Sequence, residues 1–137
     1  MKFFFDNNLS LHLAHGIREL SSVMPEVGEV IHLRDRFERD AKDLVWISAL
    51  TGDGPWYIVS IDRFDKQHGA EREAIRRAGH TVFVLDSQWS RHGFWLQTER
   101  FVRWWPQIVA YAALVSGGAY RVPWAHSPQS KFQAIKF

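Results

Sequence analysis

Cysteine is absent from this chain of 137 residues, which excludes disulfides, thiolate zinc sites, iron–sulfur clusters and a cysteine nucleophile. The length leaves no room for separate substrate and cofactor lobes, so we expect one domain. Long hydrophobic runs are lacking too: residues 108–115 fall far short of the roughly 20 that a membrane span needs. The apolar run at residues 3–5 is too short for a signal peptide. We therefore expect a soluble, cytoplasmic protein with no membrane partner.

A large net charge is also missing, because 17 lysines and arginines face 15 aspartates and glutamates and leave +2. Binding to nucleic acid must then come from a local basic patch rather than from the field of the whole molecule.

The motifs GxxxxGK[ST], GxGxxG, GxSxG and HExxH do not occur. Their absence argues against P-loop nucleotide hydrolysis, Rossmann cofactors, serine hydrolases and zincins.

Apolar residues make up 46% of the chain and aromatic residues 15%, which is ample for a core and excludes intrinsic disorder. Short apolar runs alternate with segments of helical periodicity, and this alternation predicts an α/β fold with a mainly parallel sheet. The predicted strands are residues 2–5, 27–33, 56–61 and 81–85, and the predicted helices are residues 9–22, 41–50 and 70–77. A charged loop is expected at residues 34–40.

The last third of the chain predicts a different organisation. Beyond a core of about residues 1–85, we expect an aromatic helical extension over residues 86–119, with a kink at Pro106 and a second helix to Ser116. Residues 120–137 are predicted to be a polar tail. The spacing of the aromatic residues places them largely along one side of the extension, as core or as a surface for another chain.

Three aspartates hold positions that favour a shared site. Asp6 directly follows the first predicted strand and Asp62 follows the third, so both belong at the carboxyl edge of a parallel sheet, where sites form. Asp43 lies in the first turn of a helix, on the same face as Trp46 and Ile47. Converging carboxylates repel one another unless a cation such as Mg²⁺ or Mn²⁺ binds, and such an ion supports phosphodiester hydrolysis. The alternative is that these aspartates only begin turns or favour a helix dipole.

Three short motifs, in this order, resemble the PIN-like domains of VapC-type toxins: FFFDNNLS at residues 3–10, DLVWI at 43–47 and IVSIDR at 58–63. The resemblance spans about residues 1–85. It implies a PIN-like three-layer α/β/α fold in which Asp6, Asp43 and Asp62 hold Mg²⁺ or Mn²⁺. It further implies an endoribonuclease that cleaves RNA through an ion-activated water, leaves 5′-phosphate and 3′-hydroxyl ends, and is held inactive by an antitoxin protein.

A fourth acid is usual in that family, and this sequence offers Glu71 and Asp65 as candidates. Glu71 shares a helix face with Ile75, and Asp65 lies three residues beyond Asp62. Neither is a clear match to the family pattern. This departure favours an alternative of a different class, a PIN-like module that binds RNA or protein without cutting. Leu11 also stands where relatives often have proline.

Five side chains near the three aspartates are predicted to hold the RNA backbone: Asn7, Arg34, Arg36, Arg63 and Lys66. A cation beside a phosphate releases counterions and makes binding depend on salt. The alternative is a solvated loop of mixed charge, because Asp35, Glu38 and Asp40 dilute the patch. Seven tryptophans in so small a domain also indicate apolar surface for an antitoxin or for a second copy in a homodimer.

Overall fold

Strands and helices alternate along the residues described by this computed structural model, which are 1–129 and 131–137. The strands are β1 (Lys2–Phe5), β2 (Glu29–His32), β3 (Tyr57–Ser60), β4 (Thr81–Leu85), β5 (Gly118–Val122) and β6 (Gln133–Ile135). The helices are α1 (Leu11–Leu20), α2 (Leu33–Arg36), α3 (Asp43–Thr51), α4 (Ala70–Ala78) and α5 (Phe94–Ala112).

The six strands form one sheet in the order β2-β1-β3-β4-β5-β6. Strands β1 to β5 run parallel, and β6 pairs with β5 in the antiparallel sense. Helices α1 and α5 pack on one face of the sheet, and α3 and α4 pack on the other. The predicted α/β fold, with a mainly parallel sheet between two helical layers and a C-terminal helix, is confirmed.

Strand β1 shows how the sequence places the edge of the sheet. Phe3, Phe4 and Phe5 are all fully buried. Phe3 and Phe5 pack with α1 and α5, whereas Phe4 packs with α3 and α4, because successive side chains of a strand point to opposite faces. A parallel strand covered on both faces needs an unbroken apolar run. The run ends at the carboxyl edge, where Asp6 follows at once.

Helix α5 differs from its prediction, because it continues through Pro106 without interruption. The predicted division into two helices is therefore wrong. Trp104 and Trp105 before the proline and Ile108 after it are buried, so both halves of the helix are held against the sheet. This packing outweighs the backbone hydrogen bond that proline cannot donate. Among the described residues, no helix, α5 included, has the length and apolar character that crossing a membrane requires.

The residues predicted as a polar tail also differ from their prediction. They include most of β5 and all of β6, which extend the sheet beyond β4. Ala119 and Val122 of β5 are buried, and they supply the apolar contacts that an added strand needs. Ser130, which belongs to the predicted tail, lies outside the described residues.

Candidate active site

The strand order creates a crevice at the carboxyl edge of the sheet, between β1 and β3. The connection from β1 leads to one side of this point and the connection from β3 leads to the other, and open parallel sheets bind ligands at such a switch point. Asp6 directly follows β1, and Asp62 lies two residues beyond β3. Asp43 is the first residue of α3, and Glu71 is the second residue of α4. Four separate elements thus bring a carboxylate to this crevice.

Asp6 is held by donors on its own loop and on β3. The Asn7 N–H donates to its Oδ1 at 2.7 Å, and the Ser60 hydroxyl donates to its Oδ2 at 2.8 Å. The Asn8 side-chain amide also donates to Oδ2, at 3.4 Å. Asp6 is only 6% exposed. This burial, together with the nearby carboxylates, outweighs those hydrogen bonds and raises the pKa of Asp6 to about 6.

Asp43 takes its position from the packing of α3. Trp46, one helical turn later, is fully buried and stacks on Phe4 with ring centroids 4.6 Å apart. Its indole N–H donates to Asp43 Oδ1 at 3.1 Å. Residues three apart share a helix face, so the buried indole orients the carboxylate. The predicted inward stripe of Trp46, Ile47 and Leu50 is confirmed.

Asp62 begins the loop that connects β3 to α4. Its N–H donates to Ser60 Oγ at 2.9 Å, and its Oδ1 accepts from the Phe64 N–H at 2.9 Å. Phe64 has a φ of 56°, a conformation uncommon for any residue except glycine. Its fully buried ring packs against Trp46 at a centroid distance of 5.8 Å. Strained backbone persists only where its surroundings hold it, so this phenylalanine anchors the loop that carries Asp62.

Glu71 is the fourth carboxylate at this edge. It is 2% exposed, and its Oε1 is buried with no hydrogen-bond partner among the described residues. Burial and the neighbouring carboxyl groups of Asp43 and Asp62 raise the pKa of Glu71 to about 7, against the opposing effect of Lys66. Asp65, the other candidate for a fourth acid, is exposed on the loop. The geometry therefore favours Glu71 over Asp65.

Asp6, Asp43, Asp62 and Glu71, called the acidic cluster below, concentrate negative charge in one crevice. Within residues 1–129 and 131–137, no three histidine, aspartate or glutamate side chains are arranged as a ready metal-binding group. At least one carboxylate oxygen of each aspartate of the cluster accepts from a protein donor. Carboxylate oxygens are still the ligands that Mg²⁺ and Mn²⁺ prefer, and the buried Glu71 Oε1 is an oxygen to which no donor in the described chain points. These residues fit such an ion, and its binding stays a prediction.

Four of the five predicted RNA-binding residues lie on loops or near a helix start, whereas the fifth, Arg36, lies elsewhere in the fold. Arg63 and Lys66 are exposed on the loop after Asp62. Asn7 lies beside Asp6 and donates from its side-chain amide to the Arg39 carbonyl at 3.2 Å. Arg34 is exposed near the start of α2. Of these four residues, Asn7 donates to Asp6 and Lys66 acts electrostatically on Glu71. Contact of the four side chains with RNA stays a prediction.

Arg36 lies elsewhere, so its predicted place at this edge is wrong. Its guanidinium pairs with Glu29, the first residue of β2, at 3.1 Å, and with Asp53, which precedes β3. It also lies over the Trp56 ring, 5.1 Å from the centroid. These partners belong to the amino edge of the sheet, opposite the acidic cluster. The predicted charged loop in fact begins as helix α2, and this turn directs the Arg36 side chain back along the sheet.

Two contributions to the site were not predicted. Ser60 is buried at the end of β3, where its hydroxyl donates to Asp6 and accepts from the Asp62 N–H and the Asn8 amide. The sequence signal for it is a single hydroxyl residue at the end of an apolar strand. Arg39 reaches Asn7 through the path of an irregular loop, for which no periodic pattern exists.

Comparison with known families identifies the fold type of this site. The model of a family described as a PIN-like domain matches residues 1–87. The chain belongs to the PIN-like domain family. The match covers more than half of the chain and includes β1 to β4 and the whole acidic cluster, whereas α5, β5 and β6 follow it. No curated protein and no solved structure matches this PIN-like domain.

PIN-like domains are generally nucleases. At that coarse level the family agrees with the predicted hydrolysis of phosphodiester bonds. The resemblance to VapC-type toxins, the choice of RNA and the identity of the ion are finer statements, and they stay predictions.

Proposed function

We propose that this PIN-like domain is an endoribonuclease that uses Mg²⁺ or Mn²⁺ to hydrolyse RNA phosphodiesters, and that it is the toxin of a toxin–antitoxin pair. The acidic cluster is the observation that carries the activity. Its four carboxylates come from four elements and meet at the switch point of the sheet. Burying carboxylates together destabilises a fold unless something compensates their charge. A divalent cation compensates this charge, and a phosphodiester is a substrate on which such an ion acts.

The side chains of the cluster have distinct roles in this proposal. Asp6, Asp43, Asp62 and Glu71 hold the ion, which when bound activates water and stabilises charge on a phosphoryl oxygen. Ser60 keeps Asp6 in place through its hydroxyl. Glu71, whose pKa is raised to about 7 by burial and by its carboxylate neighbours, gives up its proton when a cation approaches. Ion affinity should therefore increase with pH through this range.

Cleavage of a fluorescently labelled single-stranded RNA tests the activity. The protein should cut it in Mn²⁺ or Mg²⁺ but not in EDTA, and should leave 5′-phosphate and 3′-hydroxyl ends. Asp62→Asn and Glu71→Gln should each lower the cleavage rate by about 100-fold or more, because each removes charge from the reacting centre. Asp65→Asn and Glu73→Gln are the matched controls. Asp65 is exposed on the same loop, and Glu73 pairs with Arg76 and Arg77 on the outer side of α4.

A second candidate function is a PIN-like module that binds RNA or a protein without cutting. It is favoured by the observation that no three acidic or histidine side chains in the described chain form a ready metal-binding group. Folded protein that never cleaves RNA with either ion, but binds it equally well in EDTA, would establish this candidate and contradict the nuclease.

The toxin role includes a protein partner, and exposed apolar side chains on α5 support one. Trp95 is 80% exposed and Leu96 is 54% exposed, and side chains of this kind are typical of protein interfaces. Expression in a bacterial host should stop growth with the wild-type chain and not with Asp62→Asn. Unimpaired growth at full expression of the wild-type chain would contradict the toxin role. Sedimentation of the purified protein would show whether α5 instead joins two copies in a homodimer.

A further inference from the structure

A polar pocket of about 300 Å³ lies directly beside the acidic cluster, between the N-terminal end of α1 and the start of α2. Two arginines, two histidines and two asparagines contribute to its lining: Arg34, Arg39, His12, His32, Asn7 and Asn8. No aspartate or glutamate among the described residues lines it. We call it the basic pocket.

The walls of the basic pocket are joined by one buried side chain. The ring of His32 is fully buried, and its Nε2 donates to the Leu9 carbonyl at 2.8 Å while its Nδ1 accepts from the Arg34 N–H at 3.1 Å. This pair of bonds requires the neutral ring, and burial lowers the pKa of His32 in the same sense. A second link joins His15 of α1 to Asp35 of α2 at 2.9 Å. Hydrogen bonds and an ion pair therefore hold the two sides of the pocket together.

Its two arginines are free to bind a ligand. In the part of the chain that the structure describes, the guanidinium groups of Arg34 and Arg39 pair with no carboxylate, whereas Arg18 pairs with Asp35 and Arg36 with Asp53. The Asp35 carboxylate accepts from the His32 N–H and pairs with His15 and Arg18, not with Arg34 or Arg39. A guanidinium presents a planar set of donors that matches the oxygens of a phosphate group.

The amides at the start of α1 are not the binding groups. Ser10 caps this helix, and its Oγ accepts from the His12 N–H at 3.0 Å and from the Leu13 N–H at 3.4 Å. Recognition in the pocket would thus come from side chains, and the two arginines carry the charge.

The basic pocket and the acidic cluster share a wall. Asn7 and Asn8 line the pocket and both donate to the Asp6 carboxylate, so an anion in the pocket would sit one residue away from the cluster. Four carboxylates repel a polyanion. An RNA strand therefore needs a cationic group close to the cleaved bond, and the basic pocket supplies it on the α1 side of the crevice.

We propose that the basic pocket binds a phosphate group of the RNA backbone next to the phosphodiester that the acidic cluster cleaves, with Arg34 and Arg39 as its ligands. This inference rests on the proposed endoribonuclease function. Because both ligands contact phosphate and not a base, the pocket contributes affinity without sequence preference.

Binding of a labelled single-stranded RNA to the Asp62→Asn protein in EDTA tests the pocket apart from cleavage. Fluorescence anisotropy over a series of salt concentrations gives the affinity and its salt slope. Arg34→Gln and Arg39→Gln should each weaken binding by about tenfold at low salt, and each should reduce the slope of log K against log [salt] by about 0.7. Arg103→Gln, which removes an exposed arginine of α5 with a weak 4.0 Å ion pair, should change neither quantity.

The outcomes separate the pocket from the nuclease. If the Arg34→Gln/Arg39→Gln double variant binds RNA with the wild-type slope, or if no variant binds RNA at all, the pocket proposal is wrong. If binding depends on both arginines but the wild-type chain never cleaves RNA, the pocket stands and the nuclease fails. Arg34→Lys with Arg39→Lys keeps the charge and should keep the salt slope; an equal loss in this variant would show a structural effect and overturn the proposal.

Discussion

Asp6 illustrates what one carboxylate does at the residue scale. Burial raises the pKa of Asp6 from 3.8 to about 6, so the folded chain keeps a proton that the unfolded chain has already lost. The stabilisation from protonated Asp6 is fully present below pH 3.8 and is lost as the pH rises through about 6. Since one pKa unit corresponds to about 1.4 kcal/mol, ionised Asp6 lowers the free energy of unfolding by about 3 kcal/mol at neutral pH.

The variant Asp6→Asn tests this cost, because it removes the titration and keeps the shape of the side chain. In EDTA, the free energy of unfolding of the wild type should fall relative to Asp6→Asn by about 2.4 kcal/mol as the pH rises from about 4 to about 7.5. Urea unfolding at several pH values measures it. Taking the difference removes the contributions of His32 and His80, whose pKa values are lowered by burial. A difference that does not change with pH would contradict the argument.

The residues of the site were predictable to different degrees, and the reasons are physical. Asp6 ends an unbroken apolar strand and Asp43 precedes a helical stripe, so strand ends and the 3.6-residue period locate them. Glu71 and Asp65 could not be ranked, since only tertiary packing decides that one is buried and the other exposed. The position of the Arg36 side chain was predicted wrongly. Its guanidinium is placed by ion pairs with Glu29 and Asp53, and no periodic pattern in the sequence indicates such pairs.

At the scale of elements, tertiary packing overrides local signals in the last third of the chain. Strand β4 has its predicted bounds, and α4 ends before Gly79, which adopts φ 76° as helix-terminating glycines commonly do. Pro106, in contrast, favours a break that does not occur. Strand β5 begins at Gly118, and its two partly exposed residues, Tyr120 and Arg121, are adjacent, so it gives no clear alternation. Its pairing with β4 follows from the edge that β4 leaves open.

Helix α5 therefore contains a local destabilising residue, and its replacement should stabilise the protein. Pro106 is exposed, so Pro106→Ala restores a backbone donor without disturbing the core. A proline inside a helix costs about 3 kcal/mol, partly offset by the smaller entropy of the unfolded chain, about 1 kcal/mol. We expect a net gain of about 1–2 kcal/mol in the free energy of unfolding. Urea unfolding measures it, with the exposed loop proline variant Pro55→Ala as the control that should gain nothing. Equal or lower stability of Pro106→Ala would show that α5 requires the proline.

At the scale of the whole molecule, the site depends on the sheet order more than on any single element. The acidic cluster draws on the loops after β1 and β3 and on the first turns of α3 and α4, which are distant in sequence and meet only because β1 and β3 are neighbours. Helices α3 and α4 pack on the same face of the sheet and bring Asp43 beside Glu71. Ion binding at this place should therefore increase the free energy of unfolding of the entire fold.

Thermal unfolding with and without Mn²⁺ measures that coupling. A ligand that binds only the folded state stabilises it by RT ln(1 + [L]/Kd), about 2.7 kcal/mol when the ion is 100-fold above Kd. For a chain of this length that corresponds to a rise of several degrees in Tm. Asp62→Asn and Glu71→Gln should lose most of the rise, because each removes an anionic oxygen from the crevice. Asp65→Asn and Glu73→Gln should keep it, since they remove the same charge from exposed or paired positions. An equal rise in Tm in all four variants would mean that Mn²⁺ binds elsewhere on the protein. That result would contradict the proposal that the acidic cluster is the metal site.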